Sequence, residues 1–327
     1  MRRIKRALLA VDQFQQRHDV LAFPIGVIKK FGDDQAGKHA ALLAYYGFLS
    51  LFPLLLVFVT VLGYVLANNV ELQQELIDTV IERFPGFGPQ LQDSIKTISG
   101  SGIALLIGVL GTLWGGLGIT RSAQDAMNAV WNVPYIRRPN WWMRLVRGIG
   151  SLLLVVVAVF AATALARLGT AGGGALGWLP LGGSLLLNFL LLTALSRVLT
   201  AIRPPWRRLL PGAAMGAIGW SVLQVLGAQI VGRQLERANL IYGAFAIVIV
   251  LISWLYLSAQ LLLYAAEVNV VLARRLWPRS LLQSPLTGPD RQVLAALAEA
   301  EERFPAQTIE VRFTPETRGE DTPRPDS

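Results

Sequence analysis

Few side chains in this sequence are suited to covalent or metal chemistry. Cysteine is absent and there are two histidines, His18 and His39. Disulfides, thiolate metal sites and cysteine nucleophiles are therefore excluded, and imidazole catalysis has little to draw on. Metal-dependent phosphodiester cleavage needs clustered His and carboxylate ligands to hold the ion and activate water, and two distant histidines do not supply a histidine-rich cluster. No GxxxxGK[ST] loop is present to cradle a nucleotide, and no G-x-S-x-G elbow to present a serine.

What remains is a set of polar groups embedded in apolar sequence. In "LLLYAAEVNVVLARR" (261–275), Glu267 follows a long apolar run and precedes Arg274 and Arg275. At about 100° per residue, Tyr242, Ser253, Tyr256, Gln260, Tyr264, Glu267 and Arg274 share an arc of about 80° on one helix. A second seam, Tyr46, Ser50, Pro53, Thr60 and Tyr64, fits an arc of the same width. Pro53 removes one backbone donor and frees the carbonyl of Leu49, which predicts a bend beside Ser50. Ser221 and Gln224 add polar groups to a third helix face built otherwise from Ala214, Ala217 and Ala228. Lipid offers such groups no partners, so these faces look inward. Either they bond one another as interhelical glue, worth about 0.6 kcal/mol each, or they line a path for a substrate or ion.

Glu267 is the singular case. Counted from Phe245, about 20 residues of span end near Ala265, placing Glu267 at a hydrocarbon boundary and away from the bilayer centre, where its charge would cost roughly 2.5–3.5 kcal/mol. Two roles are expected for it: a clasp to Arg274 or to the basic turn Arg203–Arg208, or a site for a cation or proton entering the seam.

The elements that position these groups follow from composition. Of 327 residues, 53% are hydrophobic and 16% charged, and mean hydropathy is +0.48. The balance is that of a membrane protein. Six stretches have spanning length, about 41–66, 102–119, 148–168, 176–199, 209–231 and 243–273. Twenty Lys and Arg fall before the first span, between spans two and three, in the turn between four and five, and after span six; five fall on the opposite side. The positive-inside rule then predicts cytoplasmic N- and C-termini and places 67–101 outside, with a short amphipathic helix stopped by "FPGFGP" (84–89). The basic excess, +9 overall, is thus assigned to membrane sorting, and no nucleic acid partner is expected.

The fold expected is an all-α polytopic membrane protein of six transmembrane helices with amphipathic interfacial helices. Residues 1–38 form a cytoplasmic arm along the inner leaflet, 39–276 the transmembrane domain, and 277–327 an acidic, partly disordered cytoplasmic tail. No cleaved signal peptide is expected in the first forty residues. Within the tail, a short helix at Asp290–Phe304 and a strand at "TIEVRF" (308–313) are predicted. The pairs Gly111/Gly115 and Gly212/Gly216 allow close helix approach, mainly inside the bundle, with a dimer face as the alternative. In "AVWNVPYIRRPNWWMRLVRG" (129–148), Trp131, Trp141, Trp142 and the basic residues read as headgroup-level anchors. The sharper alternative has Arg137 and Arg138 gripping a lipid phosphate.

Three segments, "AALLAYYGFLSLFPLLLVF" (40–58), "AVWNVPYIRRP" (129–139) and "YGAFAIVIVLISWLYLSAQLLLYAAEVNVV" (242–271), resemble the YihY/virulence factor BrkB family. The resemblance covers about residues 30–280, with the motifs in the family's order. It implies a six-span bacterial inner-membrane protein with cytoplasmic termini, linked to envelope integrity, for which transport-like roles are suspected and no biochemical activity is settled. The same family long carried a label as a transfer-RNA-processing ribonuclease, against which the missing ligand cluster argues. The expectation is a non-enzymatic protein without cofactors, transporter-like or lipid-handling, whose partners are membrane lipids; a non-transporting scaffold is the alternative.

Overall fold

A computed structural model describes residues 12–65, 102–171, 179–242, 244–281 and 285–314; the expected outward helix within 67–101 lies outside them. The described residues are helical and contain no strand. In chain order the helices are α1 (Asp19–Asp33), α2 (Ala36–Val65), α3 (Gly102–Val130), α4 (Trp141–Ala171), α5 (Leu179–Leu199), α6 (Trp206–Tyr242), α7 (Ala244–Arg274) and α8 (Gly288–Glu299). Among the described residues, four segments, Trp141–Leu165, Leu181–Leu199, Trp206–Gly227 and Val248–Arg274, are long and apolar enough to cross a membrane. Their outward faces confirm the solvent they are built for: Phe160 is 73% exposed, with Leu153, Val157 and Val159 open beside it on α4. Such a surface is stable in hydrocarbon and a liability in water.

The helices α2 to α7 alternate in direction, because the start of one and the end of its neighbour meet at a common end. There Gln124 of α3 donates to the carbonyl of Arg144 near the start of α4 at 3.0 Å. Asn128 accepts from the backbone N–H of Ala201 in the α5–α6 turn at 2.9 Å, and Arg274 at the end of α7 donates to the carbonyl of Trp131 at 2.7 Å. This end also carries the basic turns. α3 runs well beyond the expected span into it, and its last turns bury Thr120, Ser122, Gln124 and Asn128. Backbone at the start of α4 and in the α5–α6 turn bonds Gln124 and Asn128, and the Thr120 hydroxyl donates to the carbonyl of Leu117 in its own helix at 3.1 Å.

The buried apolar core is concentrated at the basic end. Val27 and Phe31 of α1, Ala36 and Ala40 of α2, Ala126 and Val130 of α3, Leu263, Ala266 and Val270 of α7, and Val293 of α8 form one cluster. The arm helix α1 is therefore docked on the bundle through the stripe Ala22, Gly26, Val27, Lys30 and Phe31, while Val20 and Ile28 face outward. Both small-residue pairs are spent inside the chain. A Cβ on Gly111 would lie 2.9 Å from Pro53, one on Gly115 2.8 Å from Ser50, and one on Gly118 2.6 Å from the Tyr46 ring. On α6, Gly212 and Gly216 sit against Ala265 of α7, and the Gly212 N–H donates to Asn269 Oδ1 at 2.7 Å.

Beyond α7 the chain departs from expectation in two places. The tail helix starts at Thr287, whose hydroxyl accepts from the Asp290 N–H while Asp290 accepts from the Thr287 N–H, a capping box followed by Pro289. It ends at Glu299 and not at Phe304, because the carbonyls of Ala300 and Glu302 are taken by the N–H groups of Tyr135 and Ile136 at 3.2 and 3.0 Å. Residues 308–313 form no strand. The Ile309 N–H goes to the Glu302 side chain at 3.1 Å, and Arg312 pairs with Glu310 two residues away in solvent.

Candidate functional site

Glu267 lies about three helical turns along the polar face of α7 that begins at Tyr256, and it is fully buried, at 0% exposure. Its cationic partner is Lys30 of α1, with Nζ 3.8 Å from Oε2. This corrects the expected clasp: Arg274 is committed to the Trp131 carbonyl. Docking of α1 brings Lys30 to the site, and the turn to α2 adds Asp34. Lys30, also at 0% exposure, makes a direct ion pair with Asp34 four residues on and donates to the carbonyl of Val130 at 3.1 Å. Asn132 Nδ2 donates to the other Asp34 oxygen, Oδ1, at 3.0 Å.

Asn132 reaches Asp34 because of how α3 ends. It sits at φ 47, the left-handed conformation that Asn tolerates better than most residues. The N–H groups of Asn132 and Val133 close on the carbonyls of Ala129 and Asn128 at 2.8 Å each. That closure satisfies the helix end and turns the Asn132 side chain toward α1.

The result is two carboxylates and one ammonium in an enclosure closed to the surface. Asp34 is satisfied on both oxygens; among the described residues neither oxygen of Glu267, nor Oδ1 of Asn132, has a hydrogen-bond partner. Buried polar groups are nearly always bonded. A cleft of about 660 Å³ adjoins this cluster, lined by Asn132, Arg137, Arg274, Gln292, Glu299 and Glu302 among others.

The sequence-derived residues divide into groups. Tyr256, Gln260, Tyr264 and Glu267 face the protein on the side of α1 and the start of α2: Gln260 donates to the Tyr256 hydroxyl at 3.1 Å, Tyr256 lies near Gly37, and the Tyr264 ring stacks on Phe31 at 4.0 Å between centroids. Ser253 is exposed. Tyr46 and Ser50 turn to α3, and the Ser50 hydroxyl donates to its own helix at Gly47, 2.8 Å. The Tyr64 side chain lies outside the described residues. Of the two expected headgroup contacts, Arg138 is held by the protein, donating to the Val133 carbonyl at 3.2 Å and covering the Tyr135 ring at 3.9 Å, whereas Arg137 is exposed at the cleft.

A second ionic cluster locks the arm to the tail. Arg279, 1% exposed, donates to Asp33 and Asp290 at 2.7 Å each, and Lys29 reaches Asp290 at 2.8 Å. Burial alone would push the Asp290 carboxyl up, but Lys29, Arg279, the Ser280 N–H and the Thr287 hydroxyl hold it well below the usual carboxylate range. Asp12 joins the same latch and is likewise lowered: burial opposes this, and bonds from the Leu281 N–H, Gln15, Gln16 and Ser280 prevail. Among the described residues, no group of three or more His, Cys, Asp or Glu is arranged to hold a metal.

A fold of alternating membrane-length helices carrying these motifs has a family. The family model described as virulence factor BrkB matches residues 27–285. The chain belongs to that family. It is 23% identical over 274 residues to the inner membrane protein YhjD of Escherichia coli, covering 77% of this chain and 81% of that protein. It is 28% identical over 262 residues to YfkH of Bacillus subtilis, a protein named ribonuclease-like, covering 73% and 90%. A UPF0761 membrane protein of Alkalilimnicola ehrlichii is 27% identical over 270 residues, covering 77% of this chain and 58% of that one. No solved structure matches. The chain is a multi-pass protein of the bacterial inner membrane. Lys30 and Asp34 lie inside the matched region but outside the three quoted motifs; the signal for Lys30 was its place within the apolar stripe of α1, flanked by Val27 and Phe31.

Proposed function

We propose that this protein is a six-span inner-membrane protein with both termini in the cytoplasm, non-enzymatic, and transporter-like or lipid-handling in its contribution to envelope integrity. One observation carries the reading. The inward polar face of α7 ends at a fully buried carboxylate that no hydrogen-bond donor among the described residues satisfies, whereas side chains serving only as interhelical glue would be bonded. The lipid-handling variant is supported by Arg137 at the mouth of the cleft and by Trp141 and Trp142, 54% and 67% exposed, at the start of α4, a composition suited to headgroups. The scaffold reading is favoured by the α2 seam, which is filled by α3. Transfer-RNA cleavage is not part of this proposal: the expectation is that purified protein has no metal-dependent nuclease activity that a point variant of this chain removes.

Vesicles of bacterial phospholipid containing the purified protein and a trace of headgroup-labelled phospholipid test the function. Exchange between leaflets, or ion movement reported by a potential-sensitive dye, is expected above protein-free vesicles and lost in Gln260→Leu. Folded protein that moves neither returns the chain to the scaffold reading. Topology is tested separately, on a chain free of cysteine. A cysteine at Asn69 should react with an impermeant reagent in intact cells and one at Asn140 should not; the reverse pattern inverts the assignment.

A further inference from the structure

We infer that Glu267, held opposite Asp34 across Lys30, is a proton-binding site that exchanges with water in the cleft beside Asn132. The charge count leads there. Lys30 supplies one positive charge to two enclosed carboxylates, and Asp34 takes the direct ion pair and the Asn132 amide. Glu267 keeps only a distant share of the same ammonium. An ionised carboxylate with no donor is among the most costly groups to bury. One proton removes that cost: it adds to an Oε of Glu267, making an O–H donor in an enclosure where Asp34 can accept, and on release it returns to water. A metal ion fits less well, because the ammonium of Lys30 already occupies the cationic position between the carboxylates.

The surrounding charges do not supply the missing neutralisation. On α1, Asp33 adds negative charge and is itself paired with Arg279 at 2.7 Å. From α7, Arg274 faces Asp34 and Glu299 with its guanidinium bonded to Trp131. From α2, His39 faces Asp34, Asp125 and Arg138. The route is short, since Asn132 both lines the cleft and bonds Asp34. Its orphaned buried Oδ1 is a second unmet polar atom at the same place, the signature of a site that water or a proton visits.

The site rests on the proposed transport only for what its proton would drive; binding stands alone. Infrared difference spectra of the full-length protein in lipid, recorded from about pH 5 to about pH 9, span the range in which buried Glu side chains titrate. A protonated-acid carbonyl band lost on raising the pH and missing in Glu267→Gln is expected. The same band change in both proteins overturns the site. Because the variant could fail to fold, a second measurement uses unaltered protein: dicyclohexylcarbodiimide, which reacts with protonated carboxyls in apolar surroundings, should modify Glu267 at low pH and spare it at high pH. Modification only at other carboxyls overturns the inference. Flux in vesicles without a Glu267 signal sinks the proton site and keeps transport; a Glu267 signal without flux keeps the site and sinks transport.

Discussion

The polar seams of α2 and α7 are built from the same residue types, Tyr and Ser along a narrow arc, and meet opposite fates. On α2, Tyr46, Ser50 and Pro53 are matched by Gly118, Gly115 and Gly111 of α3, so two helices close until no space remains. The hydroxyl of Ser50 is satisfied within its own helix, and such a seam contributes through dispersion and fit. On α7 the facing element at the basic end is α1, which presents Lys30 where α3 presents glycine. Where such an arc turns inward, as from Tyr256 to Glu267 on α7, the partner helix decides whether that face becomes packing or chemistry, while Ser253 on the same arc stays exposed.

The largest effect should come from removing the cation. Lys30→Met leaves two enclosed carboxylates, and breaking a buried pair this way costs about 3–5 kcal/mol. Thermal unfolding in detergent should show a large loss, partly restored by adding Glu267→Gln, since the two changes share one cluster. If Lys30→Met is as stable as the parent, the ionic end is no different from the α2 seam.

Next comes the latch that holds α1 and α8 to the same end. Asp290→Asn should cost about 1.5–3 kcal/mol, the range for hydrogen bonds to a charged group, read as earlier proteolytic release of α8. Because the folded Asp290 carboxyl is depressed, its contribution is present above the unfolded value of 3.8 and is lost as pH falls below that through the folded value. Docking of α8 should accordingly hold at neutral and mildly acidic pH and weaken only in strong acid; release beginning near neutrality contradicts the assignment.

On the packed seam, Gly115→Ala forces a Cβ to 2.8 Å from the Ser50 Cβ and 2.9 Å from its Cα. Overpacking of this kind costs about 1–3 kcal/mol, and the loss should be independent of pH, unlike that at Asp290. The smallest change is Ser50→Ala, about 0.6 kcal/mol or less, with any transport intact. A transport defect in Ser50→Ala that spares folding would move the path to α2 and reverse the comparison.

Much of the helical plan was legible, because runs of hydrocarbon side chains admit few structures and loop charge marks one end. Glu267 was legible as well: a lone carboxylate at the end of an apolar helix is conspicuous. Its partners were not. Lys29 and Lys30 fall in an arm expected to lie along the inner leaflet, whereas Lys30 continues the stripe of Val27 and Phe31 and turns inward while Lys29 stays partly exposed. Which helix would cover that stripe is a long-range fact carried by no local pattern. The tail helix was expected near its true start, but its end was missed, since it is set by Tyr135 and Ile136 on a different part of the chain. The predicted strand at 308–313 failed for lack of a partner edge among the described residues, as alternation alone does not supply one.

The latch also has a meaning in the order of synthesis. Lys29 and Asp290 are 261 residues apart, so the arm leaves the ribosome long before its counter-charges exist. Through insertion of the first helices, Lys29 and Arg279 cannot both be engaged, and α1 has neither α7 nor α8 to dock on. The ionic clasp is therefore among the last contacts a nascent chain can make, and it closes only on a protein whose final membrane helix has already been delivered.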